Sequence, residues 1–284
     1  MAGVADFERD LWQDRVVLLT TQHRKEQVMT PLLERGLGIQ VQVTTVDTDQ
    51  FGTFTRERSR PGNVLETLRL KVEAGLAGRP ETLGLASEGS FGPHPQLPGI
   101  PWNQEWVMLI DREQNLELVG WAASIQTNFS HRWVKTVAEA LAFAQRVGFP
   151  NHALIALDDP AQPQWIQKGI QDEATLIEVV EAHPGQDGIH LETDMRALYN
   201  PTRMQVIEAA TQDLIQKARS RCPACQTPGF GRIRPLSGLR CGECGAPSAV
   251  TQAWIHGCLR CPHTETVPVA ATWADPAQCA FCNP

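Results

Sequence analysis

Eight cysteines carry the clearest chemistry in this sequence. They stand as four Cys-x-x-Cys pairs, Cys222/Cys225, Cys241/Cys244, Cys258/Cys261 and Cys279/Cys282, and the preceding residues 1–221 contain none. Two thiolates separated by two residues wrap one side of a tetrahedral ion, so in a reducing compartment such pairs read as metal ligands before disulfides. Two structural zinc ions are expected, each closed by four thiolates with no open position for catalysis. Fifteen residues separate the first two pairs, seventeen the last two and thirteen the middle two. A four-cysteine ribbon takes about 15–20 residues between its pairs, which predicts sequential pairing: Cys222, Cys225, Cys241 and Cys244 on one ion, Cys258, Cys261, Cys279 and Cys282 on the other. A disulfide ladder is the competing reading. His256 and His263 flank the third pair and read as surface side chains.

Three polar clusters in the first 220 residues offer a second kind of chemistry. Thr21-Gln22-His23-Arg24-Lys25 follows an apolar run at the passage from a strand to a helix, where free N–H groups attract an anion and three basic side chains crowd the turn. Glu66 and Lys71 lie five apart on a second helix, after the loop residues Arg56, Glu57, Arg58 and Arg60. Ser87-Glu88-Gly89-Ser90 follows the third strand, and a carboxylate between hydroxyls and glycines suits a divalent metal or a phosphate. Further on, Glu192 and Asp194 alternate at a strand end. Arg196 and Arg203 stand around a helix start capped by Asn200 and Pro201. That group forms either a second metal and phosphate site or a self-neutralising structural network.

The elements that must position these residues follow from hydrophobic periodicity. Val16–Thr20 predicts a strand, 23–35 a helix and 39–46 a half-exposed strand. Pro61-Gly62-Asn63 opens a helix with Leu65, Leu68 and Val72 on one face, and 82–87 predicts the third strand. A hairpin over 105–121 turns at Arg112–Asn115. Helices over 136–147, 172–181 and 201–218 then alternate with strands over 153–157 and 188–192. This pattern predicts an α/β domain over residues 1–220, a three-layer mixed sheet with helices on both faces, followed by a double zinc ribbon over 221–284.

The order of the clusters over residues 16 to about 130 resembles the inosine triphosphate pyrophosphatase-like superfamily of nucleotide hydrolases. Three stretches carry the likeness: Thr21 to Lys25, Glu66-Thr67-Leu68-Arg69-Leu70-Lys71, and Ser87-Glu88-Gly89-Ser90. The resemblance implies that Glu66 and Glu88 hold Mg²⁺ or act as base, and that Lys25 and Lys71 hold phosphates. The cysteine tail and the absence of a recognisable base-reading motif depart from that family. The full chain, with its SEGSFGPHP stretch and four cysteine pairs, looks more like an uncharacterised bacterial family.

Composition narrows the function classes. The chain has 284 residues, 42% apolar and 20% charged, and a formal net charge of −7, which argues against a protein that neutralises many nucleic-acid phosphates. Residues 222–284 carry Arg232, Arg234, Arg240 and Arg260 against Glu243, Glu265 and Asp275, so two tetrathiolate zinc centres would leave the tail negative. No apolar run approaches the ~18 residues of a membrane span. The amino terminus has neither a secretory nor a transit pattern, and a cytoplasmic location is expected. Two classes stay open. One is a Mg²⁺-dependent hydrolase of a nucleotide or other phosphorylated metabolite. The other is a non-catalytic metabolite-sensing or adaptor protein that docks on a protein partner through its ribbons.

Overall fold

A computed structural model describes residues 11–52, 58, 60–183 and 188–284. Arg56, Glu57 and the first ten residues, on which the expected absence of a leader rests, lie outside the described residues. The chain divides into two compact units, Met1–Ile215 and Gln216–Pro284.

The first unit opens with β1 (Val16–Thr20), a β-branched run buried almost throughout, α1 (Glu26–Leu37), which continues through Pro31, and β2 (Gln40–Val43). Helix α2 (Val64–Leu76) follows, then the long strands β3 (Leu83–Pro93) and β4 (Pro101–Asp111) and the shorter β5 (Leu116–Ser124). They form one sheet in the order β2-β1-β3-β4-β5, parallel across β2-β1-β3 and antiparallel beyond. Leu68, Val72 and Leu76 of α2 pack on Leu18, Ala86 and Met108 on one face. Helix α5 (Pro201–Arg219) lies on the other, where Arg203 meets Glu105 of β4 and Gly36 of α1 sits against Ile215. The mixed sheet with helices on both faces is therefore present. The chain leaves β1 for β2 on one side and then crosses to β3 on the other, which makes the carboxyl end of β1, beside Ala86 of β3, a topological switch point, the usual ligand position in such sheets.

Two expectations change here. The third strand does not end at Ser87. Paired with β4 from Leu83↔Asp111 to Pro93↔Pro101, it carries Glu88 in its ladder rather than in a loop. Residues 131–193 also do not extend the first sheet. Strands β6 (His131–Val134), β7 (Leu154–Leu157), β8 (Ile166–Ile170) and β9 (Ile189–Thr193) form a separate antiparallel sheet in the order β6-β9-β7-β8. Helices α3 (Val137–Arg146) and α4 (Glu173–Glu181) cover one face of it through Phe143, Leu176 and Val180. Periodicity shows that strands and helices alternate, but strand direction is a tertiary property.

The second unit is a three-stranded antiparallel meander, β10 (Gly231–Ser237), β11 (Thr251–Gly257) and β12 (Thr264–Pro268). Its buried apolar set is thin: Phe230, Leu239, Ala253 and Ala274 beside Cys222, Cys241 and Cys279. So small a core cannot offset the chain entropy of folding without help, and metal–thiolate bonds are the available source.

Candidate functional site

The eight cysteines gather into two tetrads, Cys222, Cys225, Cys258 and Cys261, and Cys241, Cys244, Cys279 and Cys282. The sequential pairing predicted from spacing is thus corrected to an interleaved one, first pair with third and second with fourth. The meander is the cause. The first pair precedes β10 and the third follows β11, so both stand at one end of the β10–β11 hairpin. The second pair follows β10 and the fourth comes after β12, at the opposite end. Cross-tetrad sulfur separations are 3.7 Å for Cys222–Cys261, 3.5 Å for Cys225–Cys258, 3.8 Å for Cys241–Cys282 and 3.6 Å for Cys244–Cys279. Four sulfurs at ~2.3 Å from a tetrahedral ion stand about 3.8 Å apart, whereas a disulfide holds them at ~2.05 Å. Each tetrad thus fits one metal ion.

The turns around the cysteines are built for thiolates. Backbone N–H groups of Arg260 and Cys261 point at Cys258 Sγ over 3.3 and 3.4 Å, and that of Glu243 at Cys241 Sγ over 3.5 Å. The first two knuckles are repeats of one another. Arg-Cys-x-x-Cys-x-x-Pro spans 221–228 and again 240–247, each closed by a bridge between its ends, with Gln226 and Gly245 in the left-handed region.

In the first unit, residues far apart in sequence converge on the switch point between β1 and β3. Lys25, at the start of α1 and 6% exposed, donates to Ser87 Oγ over 3.1 Å. The buried Lys71 donates to Glu88 Oε2 over 2.5 Å, while Arg60 donates to Glu88 Oε1 over 2.7 Å and to the Gly89 carbonyl over 2.9 Å. Arg203 and Glu105, both with fully buried side chains, pair over 2.7 Å, and Arg203 also donates to the Met195 carbonyl. At the edge, Arg196 closes on the buried Asp194 over 2.6 Å and stacks on Tyr199. Asn103, opposite Phe91 in the β3–β4 register and fully buried, has an amide with no partner among the described residues. A buried amide in that state costs about 1–3 kcal/mol unless a ligand or water satisfies it.

Electrostatics follow from this crowding. Burial first, then the charges of Arg203 and Lys71, push the Lys25 ammonium from 10.5 down to about 7 against the pull of Glu105 and Glu88. Burial and the charges of Lys25, Arg196 and Arg203 push His23 down to about 4. Burial opposes the charge of Glu88, yet Lys71, Lys25 and Arg60 hold it below the ordinary carboxylate range. His23 and Arg24 both adopt left-handed backbone, at φ 65° and 60°, which costs roughly 1–2 kcal/mol each. Five basic groups (Lys25, Arg60, Lys71, Arg196 and Arg203) thus meet three buried carboxylates (Glu88, Glu105 and Asp194), with Asp49 at the rim facing His23 and Arg196.

The structure joins what the sequence presented as separate sites. His23, Lys25, Lys71, Ser87, Glu88, Asp194, Arg196 and Arg203 belong to one cluster. Glu66 does not. It completes a capping box with Asn63, its carboxylate accepting from the Asn63 N–H over 2.8 Å, and stands exposed at the start of α2. This position sets Glu66 apart from the other residues expected at the site. Arg24 is exposed. Ser90 and Glu192 line a neighbouring cavity instead. Glu105 and Asn103 are additions, and Arg60 joins the cluster from the loop before α2. Glu105 sits in an alternating strand, where a carboxylate ordinarily reads as solvent-facing, and only Arg203, 98 residues away, explains its burial.

Fold and site together define a mixed α/β protein that carries two cysteine tetrads able to hold metal. The family model described as Domain of unknown function (DUF6671) matches residues 71–284, and the chain belongs to that family. The matched segment contains Lys71, Glu88, Glu105, Arg203 and all eight cysteines, and begins after Lys25 and Arg60. A search of curated proteins finds no match. Neither comparison shows the inosine triphosphate pyrophosphatase-like resemblance. Among the described residues no helix is long and apolar enough to cross a membrane.

Proposed function

We propose that the first unit binds a small phosphorylated metabolite at the β1–β3 switch point, and that the second unit is a structural module folded around two zinc ions. One observation carries the binding site: a cluster of five basic groups against three buried carboxylates, with Asp49 at its rim, at the position where open α/β sheets take ligands. A phosphate there meets the excess of basic groups and restores the charge on Lys25. The geometry favours binding over Mg²⁺-assisted hydrolysis, because Glu88, the carboxylate best placed to take a metal, already directs its two oxygens at Lys71 and Arg60. Zinc suits the tetrads through their all-thiolate donor set and sulfur spacing, and supplies folding energy rather than chemistry.

The test is a thermal-shift screen of the zinc-loaded chain with phosphate, pyrophosphate and sugar phosphates, with and without added Mg²⁺. Ligands that bind only the native state raise its melting temperature. The reading expects phosphate compounds to do so without Mg²⁺, and expects Arg60→Ala to diminish the effect. Shifts that appear only with Mg²⁺, together with release of inorganic phosphate, would favour the hydrolase.

A further inference from the structure

A cavity of about 490 Å³ opens beside the cationic cluster, between the two sheets of the first unit. The two share residues. Arg60 and Gly89 belong to its lining, as does Met195, whose carbonyl receives Arg203. The lining is rich in rings from separate elements. Phe91 of β3 and Phe129, just before β6, stand 5.8 Å apart at 31°, and the Arg203 guanidinium lies 5.3 Å from the Phe91 ring. His131 of β6 and His190 of β9 are 5.3 Å apart at 40°. Trp133 backs His190 at 5.2 Å, and Glu192 Oε1 lies 3.4 Å from His190 Nδ1. On β9 the alternation that turns Ile189 and Leu191 toward α3 and α4 turns His190 and Glu192 to the opposite face, toward the cavity.

We infer that this cavity holds a planar nitrogen heterocycle whose anionic substituent reaches the cationic cluster. The inference rests on the phosphate-binding reading and extends it to the rest of the ligand. Phe91, Phe129 and His131 present rings to the cavity, and offset or edge-to-face stacking on them favours a flat aromatic system. Ring nitrogens need both donors and acceptors. The imidazoles of His131 and His190 supply either, and Glu192 accepts from a ring N–H. Arg60 lines the cavity and also bonds to Glu88, so a substituent that leaves the ring toward Arg60 meets a member of the cluster. Phe91 joins the two regions, its ring in the cavity lining and under the Arg203 guanidinium.

Calorimetric titration of the zinc-loaded chain with three phosphate monoesters tests this: ribose 5-phosphate, which has no heterocycle, adenosine monophosphate and flavin mononucleotide. At least one ring-bearing ester is expected to bind ten-fold or more tightly than ribose 5-phosphate, and the two distinguish a purine-sized from a tricyclic occupant. Phe129→Ala is expected to shrink that preference several-fold. Ring-bearing esters that bind within two-fold of ribose 5-phosphate would overturn the inference and leave phosphate binding intact. Failure of all three esters to bind would overturn both.

Discussion

Replacing Lys25 by methionine removes a buried cation while leaving its neighbours paired, because Glu105 keeps Arg203 and Glu88 keeps Lys71 and Arg60. The Lys25 ammonium titrates near 10.5 in the unfolded chain and at about 7 in the folded one. Between those values the unfolded chain binds more protons, so wild-type stability rises with pH across that window. Below pH 7 both states are charged and the folded state bears the whole cost, at most about 5 kcal/mol at pH 6 by 1.36 kcal/mol per decade. At pH 9 the folded lysine is neutral, and the remaining cost falls to about 2 kcal/mol. The lost hydrogen bond to Ser87 subtracts ~1 kcal/mol from the benefit of the substitution at either pH. Lys25→Met is therefore expected to stabilise the ligand-free chain, by ~3 kcal/mol more at pH 6 than at pH 9. Urea unfolding of both proteins at the two pH values, followed through the first unit's tryptophans, measures this double difference, in which the other titrating groups cancel. A double difference within ~0.5 kcal/mol of zero, the usual scatter of additive changes, would refute the assignment of Lys25 as a desolvated cation.

Further outcomes follow from the same geometry. Glu88→Gln leaves the buried Lys71 without its counter-charge, so the melting temperature should fall without ligand, and added phosphate should recover more of it than in wild type. Arg203→Met should destabilise by ~3–5 kcal/mol in chemical unfolding, because Glu105 is left as a buried unpaired charge. Cys241→Ser should expose Cys244, Cys279 and Cys282 to alkylation while Cys222, Cys225, Cys258 and Cys261 stay protected. Sequential pairing would expose Cys222, Cys225 and Cys244 and leave Cys279 and Cys282 protected.

What the sequence made legible depended on distance along the chain. Lys25 stood out as part of a strand-to-helix turn and Ser87 and Glu88 as a glycine-flanked polar stretch, both local features, although Glu88 lies inside the β3–β4 ladder, just past the end of β1. Glu105 and Arg203 form the innermost pair, yet one reads as a polar residue in an alternating strand and the other as a basic residue in a helix's first turn. Only the packing of α5 on the sheet removes both from water. The cysteine pairs were legible as metal ligands through their spacing, but their partners were not, because residue counts between pairs carry no information on which way β10, β11 and β12 run. Residues 131–193 failed for the same reason: α3 and α4 were visible as helices, while the antiparallel pairing of β7 with both β8 and β9 was not.

The central claim is an anion site built on Lys25, and its most direct test is the proton uptake that accompanies ligand binding. At pH 8 a phosphate monoester is already doubly ionised, with its second pKa near 6, so it neither takes up nor releases a proton of its own on entering a cationic site. Lys25, titrating at about 7 in the empty cluster, is mostly neutral there and must gain a proton when a dianion arrives. Titration calorimetry with ribose 5-phosphate at pH 8, in two buffers of different ionisation enthalpy, should show uptake approaching one proton per ligand in wild type and none in Lys25→Met. Binding with equal heats in both buffers, or uptake that persists in the variant, would contradict the account.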